Sequence, residues 1–143
     1  MLEAHLDRME RKTRPVEPSV QADRVAHAVI GSAIEVHRHL GPGLLESIDE
    51  SALCVELGRN GMRVERQKPF PVVYKGVPLG EYRPDLIVDQ LVVVEVKSVE
   101  RLDPVFEAQV LTYLRIAGKQ VGLPLNVNSN PLGRGIKRLV LTC

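Results

Sequence analysis

The run Val92-Val93-Val94-Glu95-Val96-Lys97 constrains this chain more than any other stretch. Valine is stiff at χ1 and suits a pleated strand, so the run reads as a strand that is otherwise apolar. Glu95 and Lys97 interrupt the run two residues apart, so the strand repeat puts both on the same face. Charges inside a valine run are costly unless they pair or bind something. Two readings compete: alternating charge on the solvent face of an edge strand, or a site of chemistry.

Asp85 bears on that choice. It stands in Arg83-Pro84-Asp85-Leu86-Ile87-Val88, a second apolar segment separated from the first by the turn-prone pair Asp89-Gln90. A two-residue connection would set Asp85 opposite Val94, with the two carboxyls on opposite faces. A three-residue loop, or a one-residue bulge, sets it opposite Glu95. A shared cation needs both sets of oxygens on one side, so the second register is predicted. Two carboxylates suit a hard divalent ion, Mg²⁺ or Mn²⁺, with water filling the remaining positions. A neighbouring lysine would orient or help deprotonate an attacking water and stabilise charge developing on a phosphate.

Around this pair the chain reads as alternating layers. Residues 1–20 are charged, contain Pro15 and Pro18, and read as an arm. Ala22, Val25, Val29, Ala33, Val36 and Leu40 recur at helical spacing, and Gly41-Pro42-Gly43 stops that helix. A second helix is predicted from about residue 44 to 59, with Leu45, Ile48, Ala52 and Val55 on its buried stripe and Asn60-Gly61 as its exit. Strands are predicted over 62–67, 70–74, 82–88 and 91–98. Asp103-Pro104 signals a helix start, with Gly118 closing the helix after Ala117. Two further strands, over 120–126 and 136–142, complete the order, and Pro124 belongs there on an edge or a bulge. The result is an α/β chain with one domain over residues 21–143 behind the arm.

Composition narrows the function classes. With 143 residues, 44% hydrophobic and 26% charged, the chain is ordinary globular material of one-domain size. No apolar run reaches membrane-spanning length and no signal-peptide block opens the chain, so a soluble cytoplasmic protein with no membrane partner is expected. The two cysteines, Cys54 and Cys143, have no metal-ligand spacing, and Cys54 reads as a small buried hydrophobe. A net charge of +1 argues against coating nucleic acid by bulk charge, and leaves open local phosphate contacts by Arg8, Arg11, Lys12 and Arg14 or by Arg134, Lys137 and Arg138. His37 and His39 are two apart on a helix and point in different directions, so joint metal ligation is not expected; His37 reads as a packing or helix-end residue.

Pro84-Asp85 followed by Glu95-Val96-Lys97 resembles the signature of the PD-(D/E)XK, restriction-endonuclease-like nucleases. Gln109 and Tyr113, on the helix after the Lys97 strand, are similar to the Gln-x-x-x-Tyr motif of its RecB-type members, and their i, i+4 spacing gives them one helical face. Gly43-Leu44-Leu45-Glu46, with Glu35-Val36-His37, Glu65-Arg66-Gln67, Tyr74-Lys75-Gly76 and Glu107-Ala108-Gln109, resembles the GxxExxY protein family, a small bacterial group within that superfamily. The resemblance runs from about Ala22 to Leu141.

It implies a mixed central sheet in αβββαβ order, flanked by helices. It implies metal-dependent phosphodiester hydrolysis on DNA or RNA, with Glu46, Asp85 and Glu95 as metal ligands to Mg²⁺ or Mn²⁺ and Lys97 as catalytic base or charge stabiliser. Gln109 and Tyr113 would support the site or contact substrate. Homodimer formation is compatible with exposed strand edges. Asp49 stands where the family has its defining tyrosine, either as a second acid beside the metal or as a disturbance of it. The competing function is a catalytically degenerate nuclease fold that binds nucleic acid or protein.

Overall fold

The computed structural model describes residues 19–141. The cluster Arg8, Arg11, Lys12 and Arg14, most of the predicted arm, and Cys143 lie outside the described residues.

Helix α1 (Val20–Leu40) opens earlier than its apolar repeat suggests, because Ser19 caps it: the Ser19 hydroxyl accepts the Ala22 N–H at 3.0 Å. Its buried face is Ala22, Val25, Ala26, Val29, Ser32, Ala33 and His37, while Leu40 is exposed. Helix α2 (Glu46–Arg59) corrects the sequence reading. Leu45 is its N-cap, and Leu45, Ile48 and Val55 are exposed; the buried residues are Asp49, Glu50, Leu53 and Leu57. The helix is turned so that its two interior acids face inward, which apolar spacing alone cannot register.

Strands β1 (Val64–Arg66), β4 (Leu86–Val88), β5 (Val92–Lys97), β6 (Val121–Asn126) and β7 (Leu139–Val140) form one sheet in the order β1-β4-β5-β6-β7. The pair β5·β6 is parallel and the other three are antiparallel. Helix α3 (Pro104–Ala117) makes the crossover from β5 to β6, with the boundaries that Asp103-Pro104 and Gly118 predict. Asp103 does not cap with its side chain; it meets Arg101 at 3.5 Å. The αβββαβ core, a mixed sheet flanked by helices, is thus present.

Between β1 and β4 the chain inserts a hairpin, β2 (Phe70–Tyr74) and β3 (Val77–Tyr82), which forms its own two-stranded sheet. The predicted strand over 82–88 is therefore two elements: Tyr82 ends β3, and only Leu86–Val88 joins the central sheet. Pro84 lies at the break, where a residue without an N–H suits a chain leaving one ladder for another.

Side-chain alternation divides the core in two. Leu86, Val88, Val92, Val94 and Val96 pack on α1 and α2, and Ile87 and Val93 pack on Val110, Leu114 and Ala117 of α3. Gly122 lets α3 lie close on β6, since a Cβ there would come within 2.7 Å of Val110 Cγ1. Pro124 lies within β6, opposite Glu95 on β5, and not at an edge of the sheet. Its carbonyl accepts the Lys137 N–H at 3.3 Å, on the flank where the β6·β7 ladder covers only Val121 and Gly122. The donor that proline lacks would point to that same flank, so the parallel ladder to β5 is intact.

Candidate active site

The β4–β5 turn sets the site. Asp89 and Gln90 both have positive φ, 49° and 59°, and the Leu91 N–H returns to the Val88 carbonyl at 3.0 Å. Leu91 is the extra residue, so the connection has three residues and Leu86 pairs with Val94. One step further along that register, Asp85 stands opposite Glu95. Arg63 N–H donates to Asp89 Oδ1 at 2.8 Å, which helps hold the aspartate in its left-handed conformation.

Asp85 is held on two sides. Its Oδ2 accepts the Val96 N–H at 2.8 Å, and its Oδ1 accepts from Gln67 Nε2 at 3.3 Å. Gln67 has φ 53°, a left-handed position for a non-glycine residue directly after β1. Glu95 is buried at 6% exposure, and Tyr82 Oη donates a hydrogen bond to its Oε1. Burial, then the charge of Asp85, pushes the Glu95 pKa up to about 8. The close approach of the Asp85 carboxyl adds to the rise, while Tyr82 and Lys97 pull the other way. Lys97, on the same face, is half-buried with Nζ 5.7 Å from the centre of the Phe106 ring.

Helix α2 brings its first turn to the same end of the sheet. Glu46 Oε1 accepts the Ser98 N–H at 2.8 Å, just past Lys97. Glu50, one turn on, is buried; its pKa is raised by burial and then by Asp85, against the hydrogen bond from Arg66. Arg66 lies 3.2 Å from Glu50 Oε1. The sequence reading missed Glu50; its i, i+4 spacing from Glu46 is the signal that would have found it. Asp49 points elsewhere, into the interior beside His37, so it is not a second acid next to Asp85 and Glu95. On α3, Tyr113 stacks on Tyr82 with ring centres 4.0 Å apart, and Gln109 is exposed one turn earlier.

A family model for the PD-(D/E)XK nuclease superfamily matches residues 23–139, most of the chain. The chain belongs to the PD-(D/E)XK nuclease superfamily. No curated protein and no solved structure gives a match. PD-(D/E)XK nucleases are in general metal-dependent enzymes acting on nucleic acid, using divalent ions.

The donor set can be tested against such an ion. Asp85 and Glu95 offer hard oxygens on one face, and Asp85 raises the cost of ionising Glu95, a cost that a cation between them would lower. That chemistry fits a divalent ion at the PD-(D/E)XK pair. Among the described residues no group of three or more His, Cys, Asp or Glu is already gathered to hold a metal. Glu46 is engaged at the Ser98 N–H and Glu50 at Arg66. The structure therefore brings Asp85, Glu95 and Lys97 together, sets Tyr113 behind them through Tyr82, and leaves Glu46 at the margin.

Proposed function

We propose that this protein hydrolyses phosphodiester bonds in DNA or RNA, with Asp85, Glu95 and Glu46 as the ligand set for Mg²⁺ or Mn²⁺. The reading rests above all on one observation, the three-residue turn that sets Asp85 opposite Glu95. A bound divalent ion supplies Lewis acidity and lowers the pKa of a coordinated water. Asp85, tied to the Val96 N–H, offers an oxygen whose position the backbone fixes. Glu95 offers a second from the buried face and must give up its proton to do so. Lys97, on the same strand face as Glu95, is placed to hold a scissile phosphate and stabilise the charge that develops on it. Gln109, exposed on the same helical face as Tyr113, is suited to contact the substrate strand.

Membership in the GxxExxY family is part of the same proposal. Gly43 and Glu46 carry its motif, and the replacement of its tyrosine by Asp49 falls on the core side of α2, away from the acids. No helix among the described residues is long and apolar enough to cross a membrane, which agrees with a proposed cytoplasmic location. The hairpin exposes Val73, Tyr74, Val77 and Leu79, an apolar surface consistent with homodimer formation.

The competing reading, a degenerate fold that binds nucleic acid or protein, is favoured by Glu46 being tied to Ser98. The deciding experiment incubates the purified protein and its Lys97→Ala variant with single- and double-stranded DNA and RNA, in Mg²⁺, Mn²⁺ or chelator. Metal-dependent cleavage that falls about a hundredfold or more in the variant is expected. Equal activity of the two proteins, or binding without cleavage, favours the degenerate fold.

A further inference from the structure

Tyr82 is not part of the Asp-Glu-Lys signature, yet it makes the single side-chain hydrogen bond given to Glu95 among the described residues. It reaches the site by an unusual route. The inserted hairpin projects away from the central sheet, with Val73, Tyr74, Val77 and Leu79 exposed, and only its two outer ends return to the core. Phe70 at the start of β2 pairs with Tyr82 at the end of β3, and Phe70 packs on the α3 cluster.

Tyr82 is then held from above by Tyr113, whose ring lies nearly parallel to it, at 15° between planes. An offset or stacked aromatic pair contributes about 0.5–1.5 kcal/mol beyond area burial, enough to favour one ring orientation over its alternatives. A buried carboxyl with only one hydroxyl donor depends on that donor for its rotamer, since the other face of Glu95 meets Asp85.

We propose that Tyr82 is a positioning residue: through the Tyr113–Tyr82 stack and the Tyr82–Glu95 hydrogen bond, the inserted hairpin and helix α3 fix the Glu95 carboxylate in the orientation that a divalent cation shared with Asp85 requires. Tyr113 thereby acts on the site through Tyr82 and not through substrate. The inference rests on the function proposed above, and deepens it by giving the hairpin a part in the site. Partners that orient ligating groups typically govern metal affinity or activity by about 10–100-fold.

The test uses the full chain and Tyr82→Phe, Tyr113→Phe and Tyr113→Ala, with folding checked by thermal melting. Mn²⁺ binding is read by calorimetry, and cleavage of a short oligonucleotide is read as separate kcat and KM. Tyr82→Phe, which keeps the ring and loses only the hydroxyl, is expected to weaken Mn²⁺ binding about tenfold and to lower kcat with KM within about twofold. Tyr113→Phe, which keeps the stack, is expected to retain more Mn²⁺ affinity than Tyr113→Ala.

Tyr82→Phe binding Mn²⁺ and cleaving like the unsubstituted protein overturns this inference and leaves the proposed function standing. An unsubstituted protein that neither binds Mn²⁺ nor cleaves overturns the proposed function. The carboxyl ¹³C resonance of Glu95 in metal-free protein then still decides the positioning role. A shift of that resonance in Tyr82→Phe and Tyr113→Ala, but not in Tyr113→Phe, supports it, and an unmoved resonance in all three overturns it.

Discussion

Asp85 and Glu95 face each other across antiparallel strands, and after burial itself Asp85 is the largest cause holding the Glu95 pKa up at about 8. Replacing Asp85 by Asn keeps an acceptor for the Val96 N–H and removes the charge. The Glu95 midpoint in Asp85→Asn is therefore expected to fall below its value in the unsubstituted protein. It should stay above the ordinary carboxylate range, because burial is unaffected. Carboxyl ¹³C titration by NMR reads this directly, and an unchanged midpoint would mean that the two carboxyls do not interact.

The same raised pKa gives stability and metal binding opposite pH slopes. Between the ordinary value of 4.5 and about 8, the folded protein holds the Glu95 proton and the unfolded chain does not. Folded-state stability from this group is thus complete at low pH and is lost as pH rises through about 8. Glu95→Gln should flatten that part of the stability curve in urea denaturation without metal. Mn²⁺ or Mg²⁺ must displace the same proton, so affinity should rise with pH by up to about tenfold per pH unit and level off above the Glu95 midpoint. Calorimetry in buffers of different ionisation enthalpy should show close to one proton released per ion near neutral pH. No release would sink the assignment of Glu95 as a ligand.

Glu50 and Arg66 make a pair in which only one member is buried. Arg66→Ala leaves the Glu50 carboxylate without its cation, among the charges of Asp85 and Glu46. We expect a loss of about 1 kcal/mol at neutral pH, discounted from a fully buried pair because the guanidinium is half-exposed. The loss should shrink at acid pH, since the protonated carboxyl needs no cation. Adding Glu50→Gln to Arg66→Ala should restore part of the stability, and a double-mutant cycle in urea reads the coupling.

The parts of this molecule that were legible in its sequence are those where local chemistry and tertiary role agree. Asp103-Pro104 and Gly118 bound α3 because they favour helix ends wherever they stand. The β4–β5 register followed from the need to bring two carboxyls together, and the turn at Asp89, Gln90 and Leu91 supplies it. What was not legible depends on contacts far apart in the chain. Strand β3 carries Pro78 and Gly80 and is exposed along most of its length, so it has no apolar alternation to read. Tyr82, between Glu81 and Arg83, has nothing local to mark it; its meaning comes from Glu95 and Tyr113. The face of α2 was misread because burial of Asp49 and Glu50 against α1 and the sheet edge outweighs the exposed Leu45, Ile48 and Val55.

Asp49 shows the cost of that buried face. It is 4% exposed, and among the described residues neither its Oδ2 nor His37 Nε2 has a hydrogen-bond partner. Desolvation raises the Asp49 pKa, with His37 acting in the opposite direction. A carboxyl whose folded pKa is raised destabilises the fold once pH exceeds its ordinary range, because its charged form must then be buried. Asp49→Asn removes the charge and keeps the shape. The variant should be more stable than the unsubstituted protein at neutral pH by about 1 kcal/mol, and the advantage should vanish as pH falls below the ordinary aspartate range. Urea denaturation across that range reads it. A variant less stable than its parent at neutral pH would mean that the Asp49 carboxylate is compensated by His37, and that the acid contributes to the fold as a charged pair.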